Sequence, residues 1–173
     1  MNKEKIKKIT KNILPYLIVV VLVVLVRTFI ITPAVVDGNS MLPNLQDNNI
    51  IILNKLDYNL NDINRFDVVV INYRGEKLVK RVIGLPGEHV EYKDDNLYIN
   101  GFVTFENFNH KSTHDFKLQT IGYLTIPGDK YFVVGDNRGD STDSRVIGLI
   151  DKKDILGSVS VRIFPITKIG KVK

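Results

Sequence analysis

The chain has 173 residues, is 44% hydrophobic and carries 24 Lys and Arg against 19 Asp and Glu, a net charge of +5. That length holds one anchored domain with a core of ordinary size and excludes two large domains, while the lack of cysteine removes disulfides, thiolate metal sites and a cysteine nucleophile. Lys3, Lys5, Lys7, Lys8, Lys11 and Arg27 hold the excess against Glu4; without these seven, 18 basic and 18 acidic residues remain, so the folded part is neutral and gives no support to nucleic acid as a partner.

Residues 1–12 read as a basic tail that keeps the N-terminus in the cytoplasm. The run from Ile13 to Val26 is uncharged, and continuing through Arg27 to Thr32 gives about 20 residues, roughly 30 Å as helix, with Arg27 close enough to one end to reach the interface. A cleaved signal peptide shares this outline. No A-x-A arrangement of small residues follows, however, and Arg27 stands where a cleavage region would begin. We therefore expect a single-pass anchor at 13–32 in the cytoplasmic membrane and an extracytoplasmic domain at 33–173.

Beyond the anchor the pattern changes to short alternating or β-branched runs. Asn49–Leu53, Phe66–Ile71, Leu78–Ile83, His89–Tyr92, Asn96–Ile99, Phe102–Phe105, Gly122–Ile126, Lys130–Val134 and Ser158–Ile163 all read as strands. Pro86-Gly87, Asn100-Gly101 and Pro127-Gly128 are turn dipeptides. The expected fold is mainly β and antiparallel, with one short helical turn near Asp151–Leu156. Residues 88–123, with their polar stretch from Asn107 to Thr120, read as a candidate inserted sub-region without a catalytic role.

Three segments carry chemistry. Gly38-Asn39-Ser40-Met41-Leu42-Pro43 places a hydroxyl in a tight turn, at most about 26 Å of extended chain past Thr32. Lys80 lies in the apolar run Leu78–Ile83, with Leu78 and Val82 on its face of the strand; burial there disfavours the ammonium form and makes the amine available as a base. Alone, each is an ordinary turn serine or strand lysine. The third segment, Gly135 to Arg145, follows a strand end with almost no apolar side chain, and such a loop is costly to fix unless it bonds to itself or to a site. A calcium loop is the rival, but counting from Asp136 the sixth position is Ser141 and the twelfth Ile147, where glycine and glutamate are needed, so no metal is expected. His89, His110 and His114 lie outside these segments and read as exposed loop histidines, and Ser40 lacks the second glycine of a G-x-S-x-G elbow.

GNSMLP, RFDVVVI, KRVIGLPGE and GDNRGDSTDSR occur in the order and approximate spacing of the boxes of bacterial type I signal peptidases, behind one N-terminal anchor. The chain resembles that family from Arg27 onward, and Gly38 with the short length resembles its Gram-positive branch. The resemblance implies the signal peptidase I/LexA-like β fold and a Ser-Lys dyad protease that removes signal peptides from exported proteins after small residues, with Ser40 as nucleophile and Lys80 as general base. It also implies that Ser141 orients the Lys80 amine, that Asp143 pairs with Arg145 and Asp136 with Arg81, and that Val36, Met41, Leu45, Leu78 and Val79 line one substrate wall. Two positions depart from the commonest pattern: Gly38 replaces a serine whose hydroxyl helps bind the oxyanion, and Asn44 replaces a threonine. No cofactor is implied. The implied partners are signal-peptide-bearing preproteins, the lipid bilayer and the neighbourhood of the secretion translocon. Two other readings share these features: a membrane-tethered β binding module with a degenerate site, and a self-cleaving LexA-like relative.

Overall fold

The computed structural model describes residues 3–55 and 62–172, with side chains from residue 12 onward. The lysines expected to set topology thus lie outside the described side chains. Helix α1 runs from Lys3 to Phe29; its stretch Asn12–Phe29 is long and apolar enough to cross a membrane, and none of that stretch is buried in the protein. The expected anchor extended to Thr32, but the helix stops at Phe29. Strand β1 (Ile31–Val35) starts two residues later and pairs antiparallel with β2 (Ile50–Asn54), so ladder hydrogen bonds outcompete another helical turn in a β-branched stretch ahead of Pro33. Lys55 Nζ donates to the Thr28 carbonyl at 3.1 Å, and Thr32 Oγ1 donates to that of Arg27 at 2.9 Å, which satisfies the helix end.

The main sheet adds β3 (Val68–Tyr73), β4 (Glu76–Gly84), β9 (Lys130–Val134), β10 (Ile150–Asp151), β11 (Ile155–Phe164) and β12 (Gly170–Lys171). Its order is β1-β2-β11-β3-β4-β9-β10, with β12 on β11 and every pairing antiparallel. A second sheet holds β5 (Val90–Lys93), β6 (Asn96–Ile99), β7 (Phe102–Thr104) and β8 (Phe116–Lys117), in the order β7-β6-β5-β8, within the residues read as a candidate insertion. Two-residue turns at Arg74-Gly75, Asp94-Asp95 and Asn100-Gly101, with positive φ at both positions, close three of the hairpins, as right-handed strand twist requires.

The expected strand at Gly122–Ile126 is absent. A 3-10 turn at Leu118–Ile121 ends on Gly122 in the left-handed region, Leu124 points to solvent, and Ile126 exchanges backbone hydrogen bonds with Gly87 and Glu88 before Pro127. The helical turn expected near Asp151–Leu156 is a 3-10 turn at Lys152–Asp154, and Leu156 already belongs to β11.

Three apolar clusters hold these layers. One joins the small sheet to the main one through Tyr92, Leu97, Ile83 and Phe132. The other two lie against opposite faces of β3 and β4: Val68 and Val70 with partly buried Val79 on one, Val69, Ile71 and Val82 with partly buried Leu78 on the other. Strand β9 joins β4 only from Arg81 onward, so among the described residues the segment from Glu76 to Lys80 is paired on one side only. The outer edge of β1 is likewise the end of its sheet.

Candidate active site

The turn after β1 is pinned at both ends. Val36 N–H donates to the Asn49 carbonyl at 2.8 Å, Gly38 N–H donates to Asp47 Oδ1 at 2.9 Å, and Gly38 itself adopts φ 85°, which disfavours side chains with a Cβ. Met41 and Leu45 are buried in the cluster that holds Val36 and packs on Val79. These two apolar pegs press the turn down and leave Ser40 at the surface of a cavity of about 220 Å³ lined by Asp37, Gly38, Asn39, Leu78, Lys80, Asp140 and Thr142. Because Ser40 and Met41 are consecutive, the turn straddles β4, with Met41 on the Val79 side and Ser40 toward Lys80.

Lys80 pairs with Val69 across the β3–β4 ladder and is only 2% exposed. Its Nζ donates to Ser40 Oγ at 2.7 Å. Burial pushes the amine down to about 8, against the smaller opposing pull of the Asp143 and Asp136 carboxylates. The neutral form keeps the same contact with the roles reversed, the hydroxyl donating to the amine.

Arg81, on the opposite face of β4, donates through Nε to Asp136 Oδ1 at 2.8 Å and through Nη2 to Oδ2 at 2.7 Å; its Nη1 donates to the Phe66 carbonyl at 2.9 Å. Asp143 binds Arg145 through two bonds of 2.9 and 2.8 Å, accepts from Gly135 N–H at 3.0 Å, and caps a one-turn helix α2 (Ser144–Ile147) that sequence reading missed. Both expected pairings are thus made.

The bond expected from Ser141 to Lys80 is not made: Ser141 Oγ is buried without a hydrogen-bond partner. It instead crowds Gly135, where an added Cβ would lie 2.2 Å from Ser141 Oγ and 2.5 Å from the Ser40 carbonyl oxygen. The expected single substrate wall also divides. Val36, Met41 and Leu45 are buried beneath Val79, whereas Leu78 faces the Lys80 side and lines the small cavity. Val79 lines a neighbouring groove of about 610 Å³ with Pro33, Ala34, Val35, Lys77 and Leu156.

Sequence reading gave no task to several residues that bond to the site. Asn137 N–H donates to the Ser40 carbonyl at 2.9 Å, and its Nδ2 donates to that of Asn39 at 3.0 Å. Asn44 Nδ2 donates to Asp136 Oδ2 at 2.7 Å and to the Asn109 carbonyl at 2.6 Å. Residues 88–123 were expected to stand apart from the chemistry, yet Phe108 lies 3.9 Å beneath the Arg81 guanidinium. Glu106 forms a buried ion pair with Arg138, which also donates to Thr113 Oγ1 at 2.6 Å. No periodicity marks these residues; the adjacent Asn137 and Arg138 were visible only as part of the polar loop. Of the histidines, His114 is exposed as expected, but His89 and His110 are half-buried, and none bonds to Ser40 or Lys80 among the described residues.

Comparison with known proteins adds independent findings. Residues 9–164 match the family model described as signal peptidase, peptidase S26. A signal peptidase I P from Bacillus subtilis subsp. natto is 43% identical over 99% of both chains. Signal peptidase IB from Staphylococcus aureus strain COL is 37% identical over 94% of this chain and 93% of its own. The crystal structure of a signal peptidase I from Enterococcus faecalis V583 superposes with a TM-score of 0.52 at 39% identity, covering 56% of this chain and 96% of that one.

Proposed function

Because the chain belongs to the signal peptidase family, peptidase S26, and is thereby a serine endopeptidase of the signal peptidase I type, we propose that Ser40 and Lys80 perform its cleavage of signal peptides. Family membership sets aside the reading as a non-catalytic binding module. The supporting observation for the dyad is the 2.7 Å contact between a buried amine and the turn hydroxyl.

Neutral Lys80 takes the hydroxyl proton as Ser40 Oγ attacks the carbonyl carbon at the cleavage site. The tetrahedral oxyanion collapses, the new amine of the mature protein leaves with the proton from the Lys80 ammonium, and the signal peptide stays on Oγ as an ester. Lys80 then deprotonates a water that attacks this ester, and the proton returns to Oγ as the signal peptide departs with a free carboxylate. The ammonium formed at each step is stabilised by the Asp143 and Asp136 carboxylates.

The substrate lies extended in the groove between the free edge of β1 and the one-sided segment of β4, adding a strand there. Alternate side chains then face Ala34 and Val79 over the floor of Val36, Met41 and Leu45, which leaves room for small residues only. Helix α1 spans the cytoplasmic membrane with its N-terminus inside, so the site works at the outer face on preproteins delivered close to the translocon. The Arg81–Asp136 pair holds the loop against β4, and Asp143, bonded to Arg145 and Gly135, braces the loop internally.

The test uses the purified full chain in detergent with a signal-peptide substrate. The unmodified protein is expected to cut after a small residue, and Ser40→Ala and Lys80→Ala to lose activity by at least about 10³-fold. Cleavage by either variant at the normal rate would remove the dyad assignment.

A further inference from the structure

We infer that Asn137 is a positioning residue that fixes the peptide plane carrying the backbone donor to the oxyanion. The inference rests on Ser40 being the nucleophile. Asn137 reaches the nucleophile turn twice, through Nδ2 to the Asn39 carbonyl at 3.0 Å and through its own N–H to the Ser40 carbonyl at 2.9 Å. A trans peptide is planar, with its carbonyl and the following N–H pointing in opposite directions. The Asn39 carbonyl and the Ser40 N–H belong to one such plane. Anchoring that oxygen on a buried amide therefore turns the Ser40 N–H away from Asn137, and among the described residues this N–H has no acceptor in the protein. A donor on the same residue as the attacking oxygen, held in place before reaction and left unpaired, is what a developing oxyanion requires.

The Asn39 carbonyl also accepts from Leu42 N–H within the turn, at a longer 3.2 Å, so the Asn137 amide is the shorter of its two anchors. Gly38 has no hydroxyl to share the task, and its N–H is committed to Asp47, so the orientation of the Ser40 peptide matters more here than where a serine stands two residues before the nucleophile. Asn137 Oδ1 is buried without a partner in the protein, so the side chain is held through its Nδ2 alone.

The test compares Asn137→Ala, Asn137→Leu and unmodified full-length protein in detergent, using a signal-peptide substrate and a peptide aldehyde that forms a hemiacetal on Ser40. Removing an oxyanion donor outright costs about 10²- to 10³-fold, so letting one swing loose is expected to lower kcat about 10- to 100-fold, with KM unchanged and Tm down by only about 2–4 °C for the lost hydrogen bond. Aldehyde affinity should fall by the same factor, while peptide affinity measured on a Ser40→Ala background stays constant. In the unmodified protein, aldehyde should move the Ser40 amide proton downfield while the Asn137 side-chain amide stays protected from exchange, a readout that does not depend on the variants folding. The inference is overturned by kcat within about twofold of normal, by losses that merely track Tm or KM, or by an unmoved Ser40 amide proton. Full activity in Ser40→Ala would instead remove the nucleophile assignment beneath it.

Discussion

Arg81 and Asp136 are joined by two parallel hydrogen bonds with both side chains almost wholly withdrawn from solvent, and this pair ties the strand of Lys80 to the loop that touches Ser40. A buried pair that loses one member leaves an uncompensated charge. Asp136→Ala is therefore expected to lower unfolding free energy by about 3–5 kcal/mol in urea titrations, and the double change Arg81→Met with Asp136→Leu to lower it by less. Equal losses in the two proteins would contradict this account.

Activity should follow the protonation of Lys80, which burial holds near 8. Only the neutral amine can take the serine proton, so kcat/KM is expected to rise about tenfold per pH unit below that value and to level off above it. A pH profile whose acid limb breaks near the ordinary lysine value would mean that the amine is not desolvated in solution.

The same burial makes Lys80 a liability for folding. A lowered folded-state value means that the unfolded chain binds the proton more tightly, so stability rises with pH between about 8 and the ordinary lysine value of 10.5. Lys80→Met should then be more stable than the unmodified protein at neutral pH, by up to roughly 3 kcal/mol, with the difference shrinking as the pH passes through that window. Thermal unfolding at a series of pH values checks the sign; a gap that widens upward in pH would reverse it.

Asn44 has a defined task despite departing from the commonest family residue. Its amide bridges Asp136 and the Asn109 carbonyl, while its own carbonyl accepts from Arg162 Nη1 at 2.7 Å. Asn44→Ala should lower stability by about 1–3 kcal/mol, since it leaves the buried Asp136 carboxylate short of a donor. Differential scanning calorimetry would expose a silent substitution.

Strands with a buried face were legible because alternation marks them, and Ser40, Lys80 and the polar loop were legible as segments of unusual composition. The segment Gly122–Ile126 misled because a strand's composition does not supply a partner: its neighbour offers one isolated exchange of bonds, and Pro127 cannot extend the ladder. Helix α2 was hidden because it is a single turn inside a polar loop without apolar periodicity, although its cap is local, the Asp143 carboxylate accepting from Arg145 N–H two residues on. The strap from Glu106 to Thr113 escaped because its contacts are tertiary. Its value lies in Phe108 under Arg81 and Glu106 against Arg138, contacts between residues far apart in the chain. The Ser141 contact was read from resemblance, and the hydroxyl instead fills the space beside Gly135.

That space has a bearing on how the enzyme can evolve. With Ser141 and the backbone of Ser40 closing on Gly135, even one methyl group has nowhere to go, so random change at this site leads only to loss. On the substrate path proposed above, a new cleavage preference would arise at the rim, around Ala34, Val35 and Val79, while the seat of the serine stays frozen.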